Sequence, residues 1–214
     1  MVNGHLITFE GSEGAGKTTQ ISLLLEKLEE HGVPFLLTRE PGGTALGESI
    51  RHLLKFSGPE IKIYPIPELL LFCASRAQLV SEVIRPALQQ GRVVVCDRFF
   101  DSTVVYQCIA RGIGLKHVDA LRELTLGDVW PKLTFVLDID PTTARQRALR
   151  RTQEEGHDPD RIEAEPLEFY QKISAAYRQL AADEPARVRV IPANKQAGEI
   201  AAEIWPHVAY ALKL

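Results

Sequence analysis

Several features that would place a chain in a special class are scarce or missing from this 214-residue sequence. It contains no apolar run approaching the roughly 20 residues needed to cross a bilayer, and its first residues lack the basic and apolar segments of a secretory signal. Its three cysteines, Cys73, Cys96 and Cys108, lack CxxC spacing, which disfavours a disulfide framework or a cysteine metal site. We therefore expect a cytoplasmic enzyme whose cysteines are buried thiols.

An excess of positive charge is also missing. The 25 lysines and arginines are outnumbered by 28 aspartates and glutamates, which gives a net charge of −3. A general nucleic-acid binder usually has a basic surface, so we expect no nucleic-acid partner and only local phosphate binding. With 45% hydrophobic and 25% charged residues the chain is ordinary for a globular protein, and its length favours one domain over residues 1–214.

Short apolar runs alternate with longer amphipathic segments along the chain. The runs are continuously apolar, which is typical of strands buried on both faces. The sequence therefore predicts an α/β fold with a five-stranded parallel sheet and helices on both faces. The predicted strands are 6–10, 33–38, 93–97, 133–139 and 188–191, and the predicted helices lie near 17–31, 44–56, 67–90, 101–111, 116–126, 142–151, 163–183 and 196–212.

The most specific motif is Gly11-Ser-Glu-Gly-Ala-Gly-Lys-Thr18, which fits the phosphate-loop (P-loop) pattern. It lies between a predicted strand and a predicted helix, so backbone N–H groups at the helix start can surround a polyphosphate. Lys17 can neutralise the β- and γ-phosphates, and the Thr18 hydroxyl is placed for Mg²⁺. This predicts a P-loop NTPase fold that binds the polyphosphate of a nucleotide, for which ATP is the candidate. The predicted ATP-binding residues are Gly11, Ser12, Glu13, Gly14, Ala15, Gly16, Lys17, Thr18 and Thr19.

Charged side chains also follow other predicted strands, at the sheet edge where ligands collect in such folds. Asp97 ends an apolar strand, an arrangement that presents a carboxylate to a metal at the P-loop, so Thr18 and Asp97 are the candidate Mg²⁺ ligands. Arg39 precedes a Pro-Gly-Gly turn and could bind a phosphate with its planar fork of donors. A surface ion pair is the alternative that the sequence leaves open for Arg39.

The longest polar stretch, residues 152–160, is bracketed by arginines. Arg147, Arg150 and Arg151 precede it, and Arg161 follows it. We expect a mobile basic lid over approximately residues 147–161. The alternative is a solvated loop flanked by arginines that interact with the negative end of a helix dipole.

Together with the P-loop, four further motifs resemble the thymidylate kinase family, in its bacterial type with a basic lid. The resemblance covers essentially the whole chain and implies a nucleoside monophosphate kinase-like fold, a homodimer, and Mg²⁺-dependent transfer of the γ-phosphoryl of ATP to dTMP. The five motifs are Phe9-Glu-Gly-Ser-Glu-Gly-Ala-Gly-Lys-Thr-Thr19, Thr38-Arg-Glu-Pro-Gly-Gly-Thr44, Leu71-Phe-Cys-Ala-Ser-Arg76, Asp97-Arg-Phe-Phe-Asp-Ser-Thr-Val-Val-Tyr-Gln107 and Asp160-Arg-Ile-Glu163.

The resemblance also implies an acceptor site. Phe72 would stack on thymine, and Arg76 would reach its O4. Tyr106 would lie beneath the sugar, where its ring leaves no room for a 2′-hydroxyl, and Glu13 would accept a hydrogen bond from the 3′-hydroxyl. The full set of dTMP-binding residues implied in this way is Glu13, Arg39, Phe72, Arg76, Arg98, Thr103, Tyr106 and Gln107.

The sequence departs from the family pattern in its P-loop. Some relatives have an arginine just after the loop acid, whereas this chain has Gly14 and Ala15, so we expect the lid to supply positive charge to the transferring phosphoryl group. The candidate catalytic residues are Lys17, Arg39, Arg98, Arg150, Arg151 and Arg161. Two alternatives stay open: a P-loop kinase for another nucleotide or nucleoside, and a non-catalytic nucleotide-binding switch protein.

Overall fold

The structure, a computed structural model, describes residues 4–57, 60–154, 156 and 158–214. Five parallel strands form a sheet with the order β2-β3-β1-β4-β5, which confirms the predicted α/β class. Each strand lies within two residues of its predicted position. The strands are β1 (His5–Glu10), β2 (Phe35–Arg39), β3 (Val93–Asp97), β4 (Leu133–Asp138) and β5 (Val188–Pro192).

Helices connect the strands, and two of them contain π-helical turns. One such turn, Val80–Ile84, lies between α3 and α4, and the other, Thr103–Ala110, follows α5. π-Helical turns are often found at functional sites. The α-helices are α1 (Lys17–Glu30), α2 (Ala45–Phe56), α3 (Pro65–Leu79), α4 (Arg85–Gln89), α5 (Phe100–Ser102), α6 (Val118–Leu126), α7 (Pro141–Glu154), α8 (Leu167–Asp183) and α9 (Ala197–Leu212).

Two helix boundaries around the basic segment differ from the prediction. Helix α7 continues to Glu154 rather than ending near residue 151, and α8 begins at Leu167 rather than at residue 163. The later start has two causes: Asp160 accepts hydrogen bonds from the backbone N–H groups of Ile162 and Glu163, which holds a turn, and Pro166 occupies the position before α8 in an extended conformation.

The sheet is buried on both faces because successive side chains of a strand point in opposite directions. Ile7 and Phe9 of β1 pack with α1 and α9, whereas Leu6 packs with Leu79 and Ile84 on the other face. This explains why the strands are continuously apolar. All three cysteines are free and buried, as expected. Among the described residues, no helix has the combination of length and apolar character that a membrane span requires.

A buried polar network crosses this core next to α5. Arg187 donates two hydrogen bonds to the Asp101 carboxylate, from Nη1 at 2.7 Å and from Nη2 at 2.8 Å. Thr134 of β4 donates to the same carboxylate at 3.1 Å and shares a hydrogen bond of 2.8 Å with Thr8 of β1. The network therefore fixes α5, and with it the turn that follows β3, to the sheet.

We expect Asp101→Ala to lower the free energy of unfolding by about 3 kcal/mol, the lower end for a broken buried ion pair, because Glu184 still pairs with Arg187. The matched control is Asp119→Ala, which removes a surface pair with Arg122 and should cost less than about 1 kcal/mol. Urea unfolding of both variants measures the difference, and equal losses would contradict the structural role of Asp101.

Candidate active site

A cavity of about 820 Å³ lies beside the carboxyl edge of the sheet. The P-loop forms one wall, α2 and α3 form a second, and the π-helical segment Thr103–Ala110 and the end of α7 complete it. The cavity thus joins the predicted phosphate site to the predicted acceptor site. The predicted residues that line it are Glu13, Gly14, Gly16, Lys17, Thr18, Thr19, Arg39, Phe72, Asp97, Arg98, Tyr106, Gln107, Arg147, Arg150 and Arg151.

The P-loop connects β1 directly to the N-terminus of α1. Lys17 is the first residue of α1, and its Nζ donates to the carbonyl oxygens of Gly11 at 3.1 Å and Ser12 at 3.0 Å. Burial lowers the pKa of Lys17 to about 8. The helix start offers free N–H groups, so the loop combines a cation with oriented backbone donors, as phosphate binding requires.

Gly14 brings the P-loop against α7. Its φ angle is +76°, and a Cβ atom at this position would collide with the carbonyl oxygen of Ala144 and crowd the Cβ of Arg147. Glycine is therefore required here for two reasons, backbone conformation and close approach. The contact places Arg147, at the start of the predicted lid, next to the loop.

The candidate metal ligands lie at the same edge. Thr18 is exposed in the first turn of α1, and Asp97 ends β3. Asp97 Oδ1 is buried and accepts no hydrogen bond from the described residues, which is unusual for a carboxylate oxygen and fits a role as a ligand for Mg²⁺ or its water. The described part of the chain contains no group of three or more histidine, cysteine or acidic side chains that could hold a metal ion.

Arg98, Glu13 and Tyr106 form the junction between the P-loop and the rest of the cavity. Arg98 Nη2 donates to Glu13 Oε1 at 2.7 Å, Tyr106 Oη donates to Oε2 at 2.9 Å, and the guanidinium lies 5.0 Å from the Tyr106 ring centroid. Burial would raise the pKa of Glu13, but the charges of Arg98 and Lys17 outweigh this and lower it to about 2. Glu13 is therefore a fixed carboxylate.

Behind Arg98 lies a buried group that sequence reasoning missed. Glu10 accepts hydrogen bonds from Ser102 Oγ at 2.6 Å, Tyr177 Oη at 2.7 Å and the Phe99 N–H at 2.8 Å. Burial and the neighbouring Asp101 raise the pKa of Glu10. The only signal for this role in the sequence was an acid at the end of an otherwise apolar strand.

The far wall of the cavity contains Phe72, Gln107 and Glu68. Two other residues predicted to contact a base, Arg76 and Thr103, do not line it. Arg76 is fully buried, pairs with Glu40 through Nε at 2.8 Å, and donates to Thr103 Oγ1 at 2.9 Å. A base contact by either residue would require this arrangement to change.

Arg39 lines the cavity and is also in an ion pair. Its Nη2 donates to both Glu48 oxygens, at 2.9 and 2.8 Å, and half of the side chain is exposed. The structure therefore shows the ion pair, and phosphate binding by Arg39 stays a prediction. Arg51, which the sequence did not single out, lines the same region and donates to the Pro41 carbonyl oxygen at 3.0 Å.

The four arginines around the predicted lid fall into two groups. Arg147, Arg150 and Arg151 lie on α7 and line the cavity. Arg161 instead donates to Glu68 Oε2 at 3.1 Å and to the carbonyl oxygen of Leu54 at 3.0 Å, and it does not line the cavity. Residues 155 and 157 of the predicted lid lie outside the described residues.

A second cavity of about 480 Å³ lies beside the start of α7, at the ends of β4 and β5. Asp138, Asp140, Arg178 and Asn194 are among its lining residues. Arg147 is a lining residue of both cavities.

A parallel sheet of this strand order, whose first strand leads into a P-loop that forms one wall of a nucleotide-sized cavity, is the architecture of the P-loop nucleoside monophosphate kinases. The chain has this fold. Residues 9–204 match the family profile described as "Thymidylate kinase", and the chain belongs to the thymidylate kinase family.

Individual relatives agree with this assignment over nearly full length. The chain is 46% identical to a thymidylate kinase of Synechococcus sp. over 208 residues, which are 97% of this chain and 96% of the relative. It is 44% identical to the Deinococcus radiodurans thymidylate kinase, with 98% of each chain covered. A crystal structure of thymidylate kinase from Ehrlichia chaffeensis matches with a TM-score of 0.75 at 35% identity, covering 96% of this chain and 99% of that one.

The P-loop geometry leads to a kinetic prediction. We expect Lys17→Ala to lower the turnover of phosphoryl transfer at least about a hundredfold, because it removes a donor for the charge that develops on the phosphates. Lys27→Ala, which removes a surface pair with Glu30 on the same helix, is the control and should leave turnover unchanged. ADP release measures both, and near-normal turnover in folded Lys17→Ala would contradict the role of Lys17.

Proposed function

We propose that this protein is a dTMP kinase that transfers the γ-phosphoryl group of ATP to the 5′-phosphate of dTMP, giving dTDP and ADP, in the biosynthesis of dTTP. The observation that carries the proposal is the junction of Arg98, Glu13 and Tyr106, which lies between the P-loop and the rest of the 820 Å³ cavity. Family membership over residues 9–204 supports the choice of substrates.

The donor side uses the P-loop. Its N–H groups and Lys17 bind the polyphosphate of ATP, and Thr18 and Asp97 would hold Mg²⁺, which supplies positive charge to the donor phosphates when bound. The nucleoside of ATP would occupy the second cavity, which Arg147 connects to the P-loop. No general base is needed, since the attacking phosphate oxygen of dTMP is already ionised. The residues of the chain therefore act by positioning and by electrostatic stabilisation.

The acceptor side contains the residues that would recognise dTMP. Arg39 and Arg98 are proposed to bind its phosphate, Phe72 to stack on the thymine ring, and Tyr106 to lie beneath the sugar while Glu13 accepts from the 3′-hydroxyl. Gln107, Arg76 and Thr103 are the proposed contacts to the edge of the base. For Arg76 and Thr103 this role requires that their mutual hydrogen bond opens.

The lid would complete the site. The chain is proposed to be one domain whose basic segment, approximately residues 147–161, closes over the phosphates, excludes water and limits ATP hydrolysis. Arg147, Arg150 and Arg151 face the cavity and would supply the positive charge that Gly14 and Ala15 do not. Arg161 would join them only after leaving Glu68.

The protein is further proposed to be a cytoplasmic homodimer with no nucleic-acid partner. Large apolar side chains are exposed on α2 and α3: about half of Leu46, Ile66 and Leu70 is accessible to solvent. Ile66 and Leu70 are one turn apart and thus on the same side of α3. An apolar surface of this kind on two adjacent helices is typical of an interface between subunits.

The enzymatic proposal predicts the acceptor preference. Purified protein with Mg-ATP should release ADP strongly with dTMP, less with dUMP, and little with dCMP, UMP, thymidine or no acceptor, and a chelator of Mg²⁺ should abolish the activity. A coupled assay of ADP measures all arms in parallel. Strong turnover of a different acceptor would contradict the assignment of dTMP, and tight ATP binding without turnover of any acceptor would favour the switch protein.

The dimer proposal predicts a mass of two chains in sedimentation at micromolar concentration. Leu70→Glu should shift the equilibrium towards monomer, because it places a charge in the apolar surface. Leu124→Glu, at a site that is 82% exposed on α6, is the control and should leave the mass unchanged. Wild-type protein that sediments only as a monomer would contradict the proposal.

A further inference from the structure

The amide group of Gln107 has a fixed partner on one side only. Its Nε2 donates to Glu68 Oε1 at 3.2 Å, across the gap between the π-helical segment and α3. Its Oε1 accepts no hydrogen bond from the described residues, and Gln107 lines the large cavity. The side-chain oxygen is therefore available to a bound molecule, whereas the NH₂ group is occupied by the protein.

Glu68 can hold only one end of this amide. It is 2% exposed, and two guanidinium groups pair with it, Arg111 Nε at 3.3 Å and Arg161 Nη2 at 3.1 Å. Paired with two cations, Glu68 is a carboxylate, which accepts hydrogen bonds and has no proton to donate. The two ends of the Gln107 amide have similar shapes, but only the NH₂ end can donate to a carboxylate. Glu68 thus sets the orientation of the amide.

The orientation of the amide decides which pyrimidine edge it can bind. Thymine and uracil have a proton on N3 and can donate to an amide oxygen, whereas N3 of cytosine is itself an acceptor. Because Glu68 prevents the Gln107 amide from turning over, its oxygen would face the lone pair of cytosine N3. No hydrogen bond could form between these two acceptors. The cost of such an unpaired contact is what gives hydrogen-bonded sites their high selectivity.

We propose that Glu68 is a specificity-determining residue: by fixing the Gln107 amide with its oxygen towards the cavity, it selects acceptor bases that carry an N3–H and rejects cytosine. Glu68 acts through Gln107 and is a positioning residue in this role. The inference rests on the proposed function, since it concerns recognition of the base by the same site.

The test is Glu68→Gln in the full-length protein. A glutamine has nearly the same shape but can donate as well as accept, so the Gln107 amide becomes free to turn over. We expect the ratio of kcat/KM for dTMP to that for dCMP to fall at least about tenfold. The ratio for dTMP to dUMP should stay within about twofold, because both bases have an N3–H.

The matched control is Arg111→Gln, which removes one ion pair of Glu68 but leaves the carboxylate opposite Gln107. It should keep the dTMP to dCMP ratio, whatever its effect on the individual rates. A double-mutant cycle with Gln107→Leu provides the second readout: Gln107→Leu should itself lower the ratio, and Glu68→Gln should lower it no further in that background.

The outcomes separate this inference from the proposed function. An unchanged dTMP to dCMP ratio in Glu68→Gln, or an equal fall in Arg111→Gln, would overturn the role of Glu68 while leaving a dTMP kinase. Should Glu68→Gln not fold, an unchanged ratio in Gln107→Leu would overturn it. Wild-type protein that does not turn over dTMP would overturn the proposed function itself.

Discussion

The register of three neighbouring parallel strands is the constraint on which the site depends. Phe9 of β1 and Arg39 of β2 both lie opposite Asp97 of β3. The P-loop, the turn after Arg39 and the turn that carries Arg98 therefore leave the sheet at one level, although they are far apart in sequence. A shift of one strand by a single residue would turn Asp97 to the opposite face of the sheet and separate it from the P-loop.

Arginines near the carboxyl edge of the sheet are paired with carboxylates. Arg98 lies against Glu13, Arg39 against Glu48, and Arg76 against Glu40. Guanidinium groups gathered in one place would repel one another without such partners, and an acidic partner also fixes the orientation of each fork of donors. The chain can therefore concentrate positive charge around one cavity while its net charge stays at −3. These three cations of the site each have a carboxylate as counter-charge.

The sequence predicted the parts of the molecule that depend on local patterns. Apolar runs located the five strands, and glycine spacing located the P-loop, because both depend on residues close together in the chain. The network of Glu10, Ser102 and Tyr177 was missed, since its members come from three separate elements and no periodicity relates them. The burial of Arg76 was missed for the same reason, because its ion-pair partner, Glu40, lies 36 positions away in the chain.

The start of α8 shows a different reason for a missed feature. Periodicity extended the helix back to residue 163, but a proline and an aspartate that binds nearby backbone N–H groups together favour a turn. These local features, rather than the hydrophobic periodicity, determine where α8 begins. Because Glu163 lies in this turn, it can accept hydrogen bonds from Arg151 and Thr152 at the end of α7.

The contact between Gly14 and α7 makes the position of this helix depend on the P-loop. The P-loop has no space for a side chain at this position because the backbone of α7 occupies it. In this chain a larger residue at position 14 would push α7 away from the loop, and Arg147 with it. The residue at position 14 of the loop therefore limits how closely the arginines of α7 can approach the phosphate-loop backbone.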